Sequence, residues 1–335
     1  MKKVLIIGPE FYDYNLSAAG AFTNLGFETS VLGYSAGTVT SFAERIQYHL
    51  AKDKRKFFEE NERRFNEKVL AEFNHFNPDL IFIIHGGVLH ADTMAKMKSC
   101  KRVLWMMDSL ARGNVISEFI KQIDYVFFFE KTDIDFLRER AGIKSWFLPL
   151  ALDPKVYFPE KSEQEIDILF VGALYENRME MLGRIAEEFK DKQIKVYGNY
   201  YSPLRRPLHH LFRKNKNVFL NKNISPAKVN QLYNHSKLCL NIHHAQSKFG
   251  VNQRFFEISG SKAFQLVDKK GYIEENFTAE EIMTYSSEAE MMEKIHYAFN
   301  NFPQTQEMAA KAYEKVVSEH TFTHRIKYVL DIIQA

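Results

Sequence analysis

The chain has 335 residues, of which 45% are hydrophobic and 26% charged, with 15 glycines and 9 prolines. This composition is typical of a folded protein large enough for two domains, and it excludes a disordered or collagen-like chain. The net charge of +3 gives no argument for a nucleic-acid binder or an acidic tail, and the isolated Cys100 and Cys239 exclude a disulfide framework or a cysteine-based zinc site.

Short apolar runs alternate with helix-like segments through the first half, a pattern that predicts βαβ units and a parallel sheet. Because these runs are almost continuously apolar, the strands should be covered on both faces. The predicted strands, in chain order, are Val4–Gly8, Glu28–Tyr34, Asp79–His85, Lys101–Met107, Asp124–Glu130 and Ser145–Leu150. Between them, the sequence predicts helices at Leu16–Leu25 and Thr132–Ala141, the second N-capped by Thr132 and ended by Gly142.

The stretch Leu152–Asp167 turns polar and proline-rich, which predicts an interdomain linker. Alternation then resumes, so the second half should form another doubly wound domain. Its predicted strands are Asp167–Gly172, Ile194–Gly198, Asn217–Leu220, Lys237–Ile242 and Ala263–Val267, with helices at Arg178–Phe189, Ser225–His235, Arg254–Ser259 and from Ser287 onward. Ligands of such sheets bind beyond the carboxyl ends of the strands, which predicts a site in the cleft that the two domains face.

The first apolar run, Val4–Gly8, is too short for the core of a signal peptide. No stretch of the sequence approaches the roughly 20 apolar residues of a membrane span. The sequence therefore predicts a cytoplasmic protein.

Charge is unevenly distributed along the chain. The 65 residues between Asp191 and Glu257 contain no acidic residue but 12 lysines or arginines and five histidines. Because the whole chain has a net charge of +3, the net charge of the other 270 residues is about −9. This pattern predicts a preference for anions in the second half. The basic, aromatic stretch Pro203–Phe219 is interpreted as a solvated helix rather than a nucleic-acid surface, and peripheral contact with the inner face of a membrane stays open.

Several predicted strands of the second half end in groups that suit a diphosphate. Gly172 follows one strand and Arg178 begins the next helix, while Gly198 follows another strand. A glycine lets backbone N–H groups approach a phosphate, a helix N-terminus favours negative charge, and arginine binds phosphate in a bidentate manner. Turns without a ligand are the alternative explanation for both glycines.

The densest motif is KFGVNQRFFEISGSKAFQLV. Gly250 and Val251 form a loop before a helix that carries Asn252, Arg254 and Glu257. In a cationic pocket, a lone carboxylate such as Glu257 would bind two ribose hydroxyls while backbone amides and Arg254 hold phosphates. The alternative is that Glu257 pairs with Arg254 one turn away on the helix.

These motifs, FVG…R, VYG, SKLCLNI, VNQRFFE..GS.AFQLV and the final HTFTHR, resemble those of the CgeB-like glycosyltransferases, a spore-maturation-protein family among the GT-B enzymes. In the first half, PDLIFIIHGG, VLWMMDS and FLPLALDPKVYFP are similar to the same family more loosely. The resemblance implies a GT-B fold, an α/β architecture of two Rossmann-like domains facing a cleft. It implies an acceptor-side domain over residues 1–155, a donor-side domain over 164–319, and a helix over 320–335 that returns to the first domain.

By the same resemblance, the substrate would be a UDP-, GDP- or dTDP-sugar, with no other cofactor. Arg178 would meet the diphosphate, and Gly250–Asn252 with Arg254 would hold the phosphates, while Glu257 would bind the ribose. The full donor-side set is Gly172, Arg178, Gly198, Asn223, Ile224, Ser225, Gly250, Val251, Asn252, Arg254 and Glu257, in which Asn223–Ser225 hold the base. The acceptor side would comprise Gly8, Glu10 and Tyr12. The acceptor itself (polysaccharide, glycolipid, protein or small molecule) and the oligomeric state stay open.

Catalysis would need a general base only on an inverting route, for which His85 and Asp108, each closing a strand, are the candidates. No metal is predicted. Asp133 and Asp135 match an Asp-x-Asp pattern but lie in the first turn of a predicted helix, where they are interpreted as capping. The adjacent pairs His209–His210 and His243–His244 lack the spacing of a metal motif.

Two alternatives of other classes stay open on the sequence. One is a non-catalytic, basic-surfaced binding or coat-associated protein on the same scaffold, and the other is a sugar-nucleotide epimerase. Whether Glu257 and Arg178 line one pocket distinguishes the nucleotide-sugar hypothesis from the binding-protein hypothesis.

Overall fold

We analysed a computed structural model, which describes residues 2–10, 13–34, 54–110, 117–198, 217–220, 222, 224–244 and 247–334. The chain divides into two compact units. The first unit comprises Met1–Leu150, Lys248–Gly250 and Phe322–Ala335, and the second comprises Ala151–Ser247 and Val251–Thr321. Of the predicted residues, Tyr12, Asn223 and the His209–His210 pair lie outside the described residues, as does most of the basic stretch after Pro203.

Strands and helices alternate through both units. The strands are β1 Lys3–Pro9, β2 Glu28–Tyr34, β3 Leu80–Ile84, β4 Lys101–Met106, β5 Tyr125–Phe128, β6 Ser145–Phe147, β7 Ile166–Val171, β8 Ile194–Tyr197, β9 Ser236–Asn241, β10 Gln265–Asp268 and β11 Met283–Tyr285. The helices are α1 Tyr14–Asn24, α2 Lys54–Phe76, α3 Ala91–Lys96, α4 Ser117–Ile120, α5 Lys131–Ala141, α6 Glu176–Glu188, α7 Pro226–Asn234, α8 Gln253–Gly260, α9 Gly271–Asn276, α10 Glu288–Asn300, α11 Phe302–Glu319 and α12 Phe322–Gln334.

The first unit contains a six-stranded parallel sheet in the order β2-β1-β3-β4-β5-β6. Every residue of β3 is buried, as expected for a strand covered by helices on both faces. The final helix α12 belongs to this unit, where the Trp105 and Phe322 rings lie 5.6 Å apart. Strand order reverses between β1 and β3, so the carboxyl ends of these two strands flank the switch point at which such sheets bind ligands.

The second unit contains a five-stranded parallel sheet in the order β11-β10-β9-β7-β8. The chain runs from β7 to β8 on one side and then crosses to β9 on the other, so the switch point lies between β7 and β9. The prediction of two doubly wound parallel α/β domains is therefore confirmed. The predicted strand Asn217–Leu220 contributes only an isolated bridge, between Phe219 and Val196.

The prediction of an interdomain linker was wrong, because residues 151–165 pack as part of the second unit. Tyr157 is buried, and Leu152 forms a parallel bridge with Thr321. Two asparagines one turn apart on α7 then accept backbone hydrogen bonds: Asn230 from Phe158 at 3.1 Å and Asn234 from Glu160 at 2.6 Å. These side-chain amides replace the backbone partners that a sheet would supply, and so they order a stretch whose composition is that of a loop.

The capping interpretation of Asp133 was also wrong. The carboxylate is buried and accepts hydrogen bonds from the Ser109 hydroxyl and the Leu110 backbone N–H, both at 3.1 Å. Burial raises its pKa above the ordinary aspartate value. Asp133 therefore holds the loop after β4, and the backbone of Glu130, not Thr132, stands at the N-cap position of α5. The predicted end of this helix at Gly142 is confirmed, because Gly142 is left-handed with a φ of 63°.

Among the residues that the structure describes, none of the helices combines the length and apolar character that a membrane crossing needs.

Candidate functional site

The switch point of the second unit is spanned by Arg178, in the first turn of α6. Its guanidinium donates to the carbonyl of Ala173, just after β7, at 2.6 Å and to the carbonyl of Ile242, just after β9, at 2.8 Å. The side chain is buried between the rings of Phe170 and Tyr175, whose centroids lie 5.5 and 5.4 Å from Cζ. Arg178 thus joins the two strand ends and places a positive charge between them.

Arg254 lies in the same place, on the first turn of α8. A Cβ built on Gly172 would lie 3.6 Å from Cζ of Arg254, so the guanidinium faces the glycine that ends β7. The pKa of Arg178 is lowered by burial and further by repulsion from Arg254. Two guanidinium groups that repel each other in a partly buried crevice favour an anion between them.

Glu257 follows Arg254 by one turn on α8 and is almost fully buried. Burial raises the pKa of its carboxyl to about 7, while the charge of Arg254 and a hydrogen bond from the Tyr157 hydroxyl oppose that rise. Arg254 acts on Arg178 and on Glu257 alike, so its charge links the two residues that the sequence singled out. Glu257 therefore changes its protonation state near neutral pH, where an exposed glutamate is already ionised.

A chain of amide side chains fixes the beginning of α8. Asn252 is the N-cap residue, and its side-chain oxygen accepts from the backbone N–H of Phe255 at 3.1 Å. Its amide group donates to Asn241 at the end of β9 at 2.7 Å, and Asn241 in turn donates to Gln265 on β10 at 3.3 Å. The first turn of α8, which carries Arg254, is thereby tied to two neighbouring strands, and the buried Val251 precedes it.

The two strand-end glycines lie against each other. A Cβ on Gly198 would be only 1.8 Å from the carbonyl oxygen of Gly172, so no side chain fits between these backbones. We expect Gly198→Ala to lower the free energy of unfolding by about 3 kcal/mol, because a backbone atom must move to relieve the overlap. Urea denaturation measures this change.

Gly183→Ala is the matched control, since Gly183 lies inside α6 and a Cβ there meets no atom within 4 Å. That variant should be as stable as the wild type or more stable by up to about 1 kcal/mol. Equal effects of the two substitutions would contradict the close approach of Gly198 to Gly172.

The remaining donor-side residues are placed less distinctively. Ser225 is the exposed N-cap residue of α7, where its hydroxyl accepts from the Lys228 N–H at 3.4 Å, and Ile224 precedes it. Gly250 belongs to the first unit, where its N–H donates to the carboxylate of Glu130 at 3.1 Å. In this structure the Gly250 amide is therefore engaged by the protein itself, contrary to its expected contact with a phosphate.

At the carboxyl edge of the first unit, His85 and Asp108 come together at the ends of the adjacent strands β3 and β4. Nε2 of His85 lies 2.9 Å from Oδ2 of Asp108. Because an ionised carboxylate only accepts, Nε2 of His85 is the donor in this contact. His85 adopts a left-handed φ of 70°, a conformation that non-glycine residues rarely take outside functional sites or tight turns.

The predicted acceptor-side residues Gly8 and Glu10 flank the end of β1. The carbonyls of Gly8 and Pro9 each accept from the buried side-chain amide of Asn15 at 2.8 Å, and a Cβ on Gly8 would collide with Asn15. The backbone N–H of Glu10 donates to Tyr34 at 3.0 Å. Gly8 therefore seats α1 against β1, next to the switch point of the first sheet.

Solved structures share this two-unit architecture along the whole chain. The sucrose-phosphate synthase of Thermosynechococcus elongatus matches with a TM-score of 0.68 at 11% identity, covering 100% of this chain and 98% of that one. Anabaena HepE, in complex with UDP and glucose, matches with a TM-score of 0.64 at 11% identity, covering 100% of both chains. A glycosyltransferase from Rickettsia africae matches with a TM-score of 0.64 at 12% identity, covering 99% of this chain and 97% of that one. The fold is GT-B.

Sequence comparison points to the same class of protein. Residues 178–331 match the model of a family described as glycosyl transferase-like. The match spans 154 of the 335 residues, slightly less than half of the chain. No curated protein sequence matches it. The matched segment contains Arg178, Gly198 and all of α8, whereas His85 and Asp108 precede it.

The predicted site residues did not include a partly buried ionic cluster around the buried His243, at the ends of β9 and β10. Asp268 accepts from the backbone N–H and from Nδ1 of His243, both at 2.7 Å, and pairs with the Lys270 ammonium at 2.9 Å. These partners hold the pKa of Asp268 well below its ordinary value, while burial lowers the pKa of His243. Within the described residues, Nε2 of His243 and the Tyr285 hydroxyl are buried without a partner.

A signal for this cluster was present in the sequence. His243 and Asp268 each follow a predicted strand of the second half directly, as Gly172 and Gly198 do. A polar residue directly after a strand therefore indicates this edge of the sheet as well as a glycine or an arginine does. The described residues contain no group of three or more side chains able to hold a metal ion.

Proposed function

We propose that the protein transfers a sugar from a nucleotide-diphosphate donor to an acceptor hydroxyl, with the donor bound at the carboxyl edge of the second unit's sheet. One observation carries this proposal. Glu257, a buried carboxyl group whose pKa is raised to about 7, lies one turn from Arg254 at the switch point that Arg178 spans. A carboxylate beside two guanidinium groups matches a ligand that carries both a diol and a diphosphate.

Each group has a distinct part in donor binding. Arg254, half-buried and facing Gly172, binds the diphosphate in a bidentate manner, and the N-terminus of α8 adds its dipole. The guanidinium of Arg178 donates hydrogen bonds to the carbonyls of Ala173 and Ile242. Arg178 therefore contributes positive charge and the shape of the site rather than a bidentate contact with the diphosphate. Glu257 accepts the two ribose hydroxyls. The nucleobase lies near Ile224 and Ser225.

Donor binding favours the ionised form of Glu257, because a carboxylate accepts two hydroxyl hydrogen bonds and a carboxylic acid donates one of its own. With its pKa at about 7, the free protein must release a proton from Glu257 when the donor binds below neutrality. Affinity for a nucleotide sugar therefore rises between pH 6 and pH 8.

The acceptor side of the reaction is assigned to the first unit. His85, held by Asp108 through Nε2, presents Nδ1 as a base for the acceptor hydroxyl on an inverting route. We propose that the transfer needs no metal, since Arg254 and Arg178 supply the positive charge that stabilises a departing diphosphate. The motifs quoted above favour the CgeB-like group within this class.

The test is a thermal-shift panel of UDP, GDP and dTDP. UDP comes first because HepE, which shares the fold, was solved with UDP-glucose. A nucleotide present at 100 times its Kd stabilises the folded state by about 2.7 kcal/mol, which corresponds to a Tm rise of about 5–10 °C. Glu257→Ala should abolish the shift, and Glu293→Ala, an exposed carboxylate on α10, should retain it.

A panel in which no nucleotide raises Tm would contradict the proposed donor site. Where a nucleotide binds, incubation of its sugar conjugate without an acceptor separates transfer from epimerisation. A transferase leaves the sugar configuration intact under these conditions, whereas an epimerase changes it.

A further inference from the structure

The tripeptide Lys248–Gly250 is part of the first unit, and a single buried carboxylate binds all three of its backbone N–H groups. Oε2 of Glu130 accepts from Lys248 at 3.0 Å and from Phe249 and Gly250 at 3.1 Å each, and Oε1 also accepts from Phe249 at 3.1 Å. Glu130 is 0% exposed and stands between β5 and α5. Three successive amides that converge on one anion form a nest, the arrangement that loops use to bind phosphate.

The surrounding packing is specific to this segment. The ring of Phe249 contacts that of Phe147 edge-on at 5.5 Å, and the Lys131 ammonium lies 3.8 Å from the Phe249 centroid. A Cβ on Gly250 would lie 2.2 Å from the carbonyl oxygen of Phe129, so only glycine fits there. Residues 129–131 thus form a socket for the tripeptide, with a carboxylate for its amides and a cation for its aromatic ring.

The energetics of the buried carboxylate also depend on the tripeptide. A charged group without solvent costs several kcal/mol unless hydrogen bonds replace its water. For Glu130, the backbone amides of Lys248, Phe249 and Gly250 supply those bonds, together with the Thr132 hydroxyl at 3.4 Å. The carboxylate and the tripeptide therefore fix each other's position.

The chain continues from Gly250 through Val251 and the N-cap residue Asn252 directly into α8, which carries Arg254 and Glu257. We propose that Glu130 is a positioning residue for donor binding: it fixes the three peptide planes that lead into α8, and it thereby acts together with the Asn252–Asn241 hydrogen bond on the first turn of that helix. This inference rests on the proposed donor site. Glu130 acts through the backbone and does not touch the donor.

Glu130→Gln tests the inference. Glutamine keeps the size of the side chain, but its NH₂ group replaces one of the two accepting oxygens of Glu130. Some of the backbone N–H groups of residues 248–250 therefore lose their hydrogen-bond acceptor. We expect hydrogen exchange of the 248–250 amides to accelerate at least about 10-fold. We also expect KM for the nucleotide sugar to rise about 10-fold, with kcat changed less than about 3-fold. Glu139→Gln, an exposed carboxylate on α5, is the matched control and should change neither quantity.

Two further variants keep the test decisive if Glu130→Gln folds poorly. Glu130→Asp retains the carboxylate on a shorter side chain and should recover part of the KM loss. Gly250→Ala displaces the same tripeptide from the side of Phe129 while Glu130 stays intact, and it should raise KM as Glu130→Gln does.

Variants that lower Tm but leave KM unchanged would overturn the inference, because Glu130 would then only brace the first unit. Unchanged exchange of the 248–250 amides in Glu130→Gln would overturn it as well. Failure of the donor site itself gives a different result, namely that the wild type binds no nucleotide. The exchange measurement needs no nucleotide and therefore separates the two failures.

Discussion

Glu257→Gln is expected to make the protein more stable than the wild type at pH 8 while leaving its stability at pH 5 nearly unchanged. The pKa of Glu257 is raised from 4.5 to about 7 by burial. Between these two values the folded chain keeps a proton that the unfolded chain has lost, so the wild type loses stability as the pH rises through this window. The loss amounts to at most about 3 kcal/mol. Glutamine never ionises and escapes it.

Urea denaturation of both proteins at pH 5, 6, 7 and 8 measures the effect. Glu293→Gln, an exposed carboxylate on α10, should follow the wild type at every pH. A difference between Glu257→Gln and the wild type that does not vary with pH would show that Glu257 is ionised throughout, contrary to its burial. The same substitution should abolish nucleotide binding, so stability and donor binding are opposed at this position.

Asp268→Asn is expected to lower the free energy of unfolding by about 3 kcal/mol, because it removes the carboxylate that a partly buried ammonium and two donors of His243 share. The wild-type carboxylate faces the backbone N–H and imidazole of His243 and the ammonium of Lys270. Asparagine offers one acceptor oxygen and turns an NH₂ group toward cationic or donating partners. Without the Asp268 carboxylate, the backbone after β9 should also be less well ordered, because His243 follows Ile242, whose carbonyl accepts from Arg178.

The pH dependence of this second variant has the opposite sign from that of Glu257→Gln. Because the pKa of Asp268 is depressed, its stabilisation is present above the ordinary aspartate value of 3.8 and is lost only as the pH falls toward the folded-state pKa. The deficit of Asp268→Asn should therefore stay constant from pH 8 to pH 5. Asp191→Asn, at an exposed carboxylate paired with Lys192, is the control and should leave the unfolding curve unchanged. A deficit that grows with pH would contradict the assignment.

The sequence was sufficient for much of the fold because the deciding signals are local. Strand β3 is five apolar residues in a row, and such a run predicts a strand covered on both faces wherever it lies in the chain. Gly142 ends α5 because its left-handed backbone is a property of that one residue. The glycines after β7 and β8 also marked the edge of the sheet correctly.

The stretch Leu152–Asp167 shows where local composition misleads. Its prolines and charges are those of a linker, but whether a polar segment is ordered depends on what lies beside it. Here the partners are Asn230 and Asn234, some 70 residues further along the chain. Composition records how polar a segment is and carries no information about which amide groups will face it.

The sequence by itself determined that this chain forms two parallel α/β sheets and that phosphate-binding residue types follow the strands of the second half. Only the tertiary structure decided their partners. Strand order brings His243 beside Asp268, and it lets Arg178 bind the carbonyl of Ile242, 64 residues away. In the folded chain, the backbone amide of Gly250 also donates a hydrogen bond to Glu130, 120 residues earlier in the sequence. Hydrogen bonds act over about 3 Å in space, so a sequence that fixes each element locally leaves these pairings to the packing of the elements.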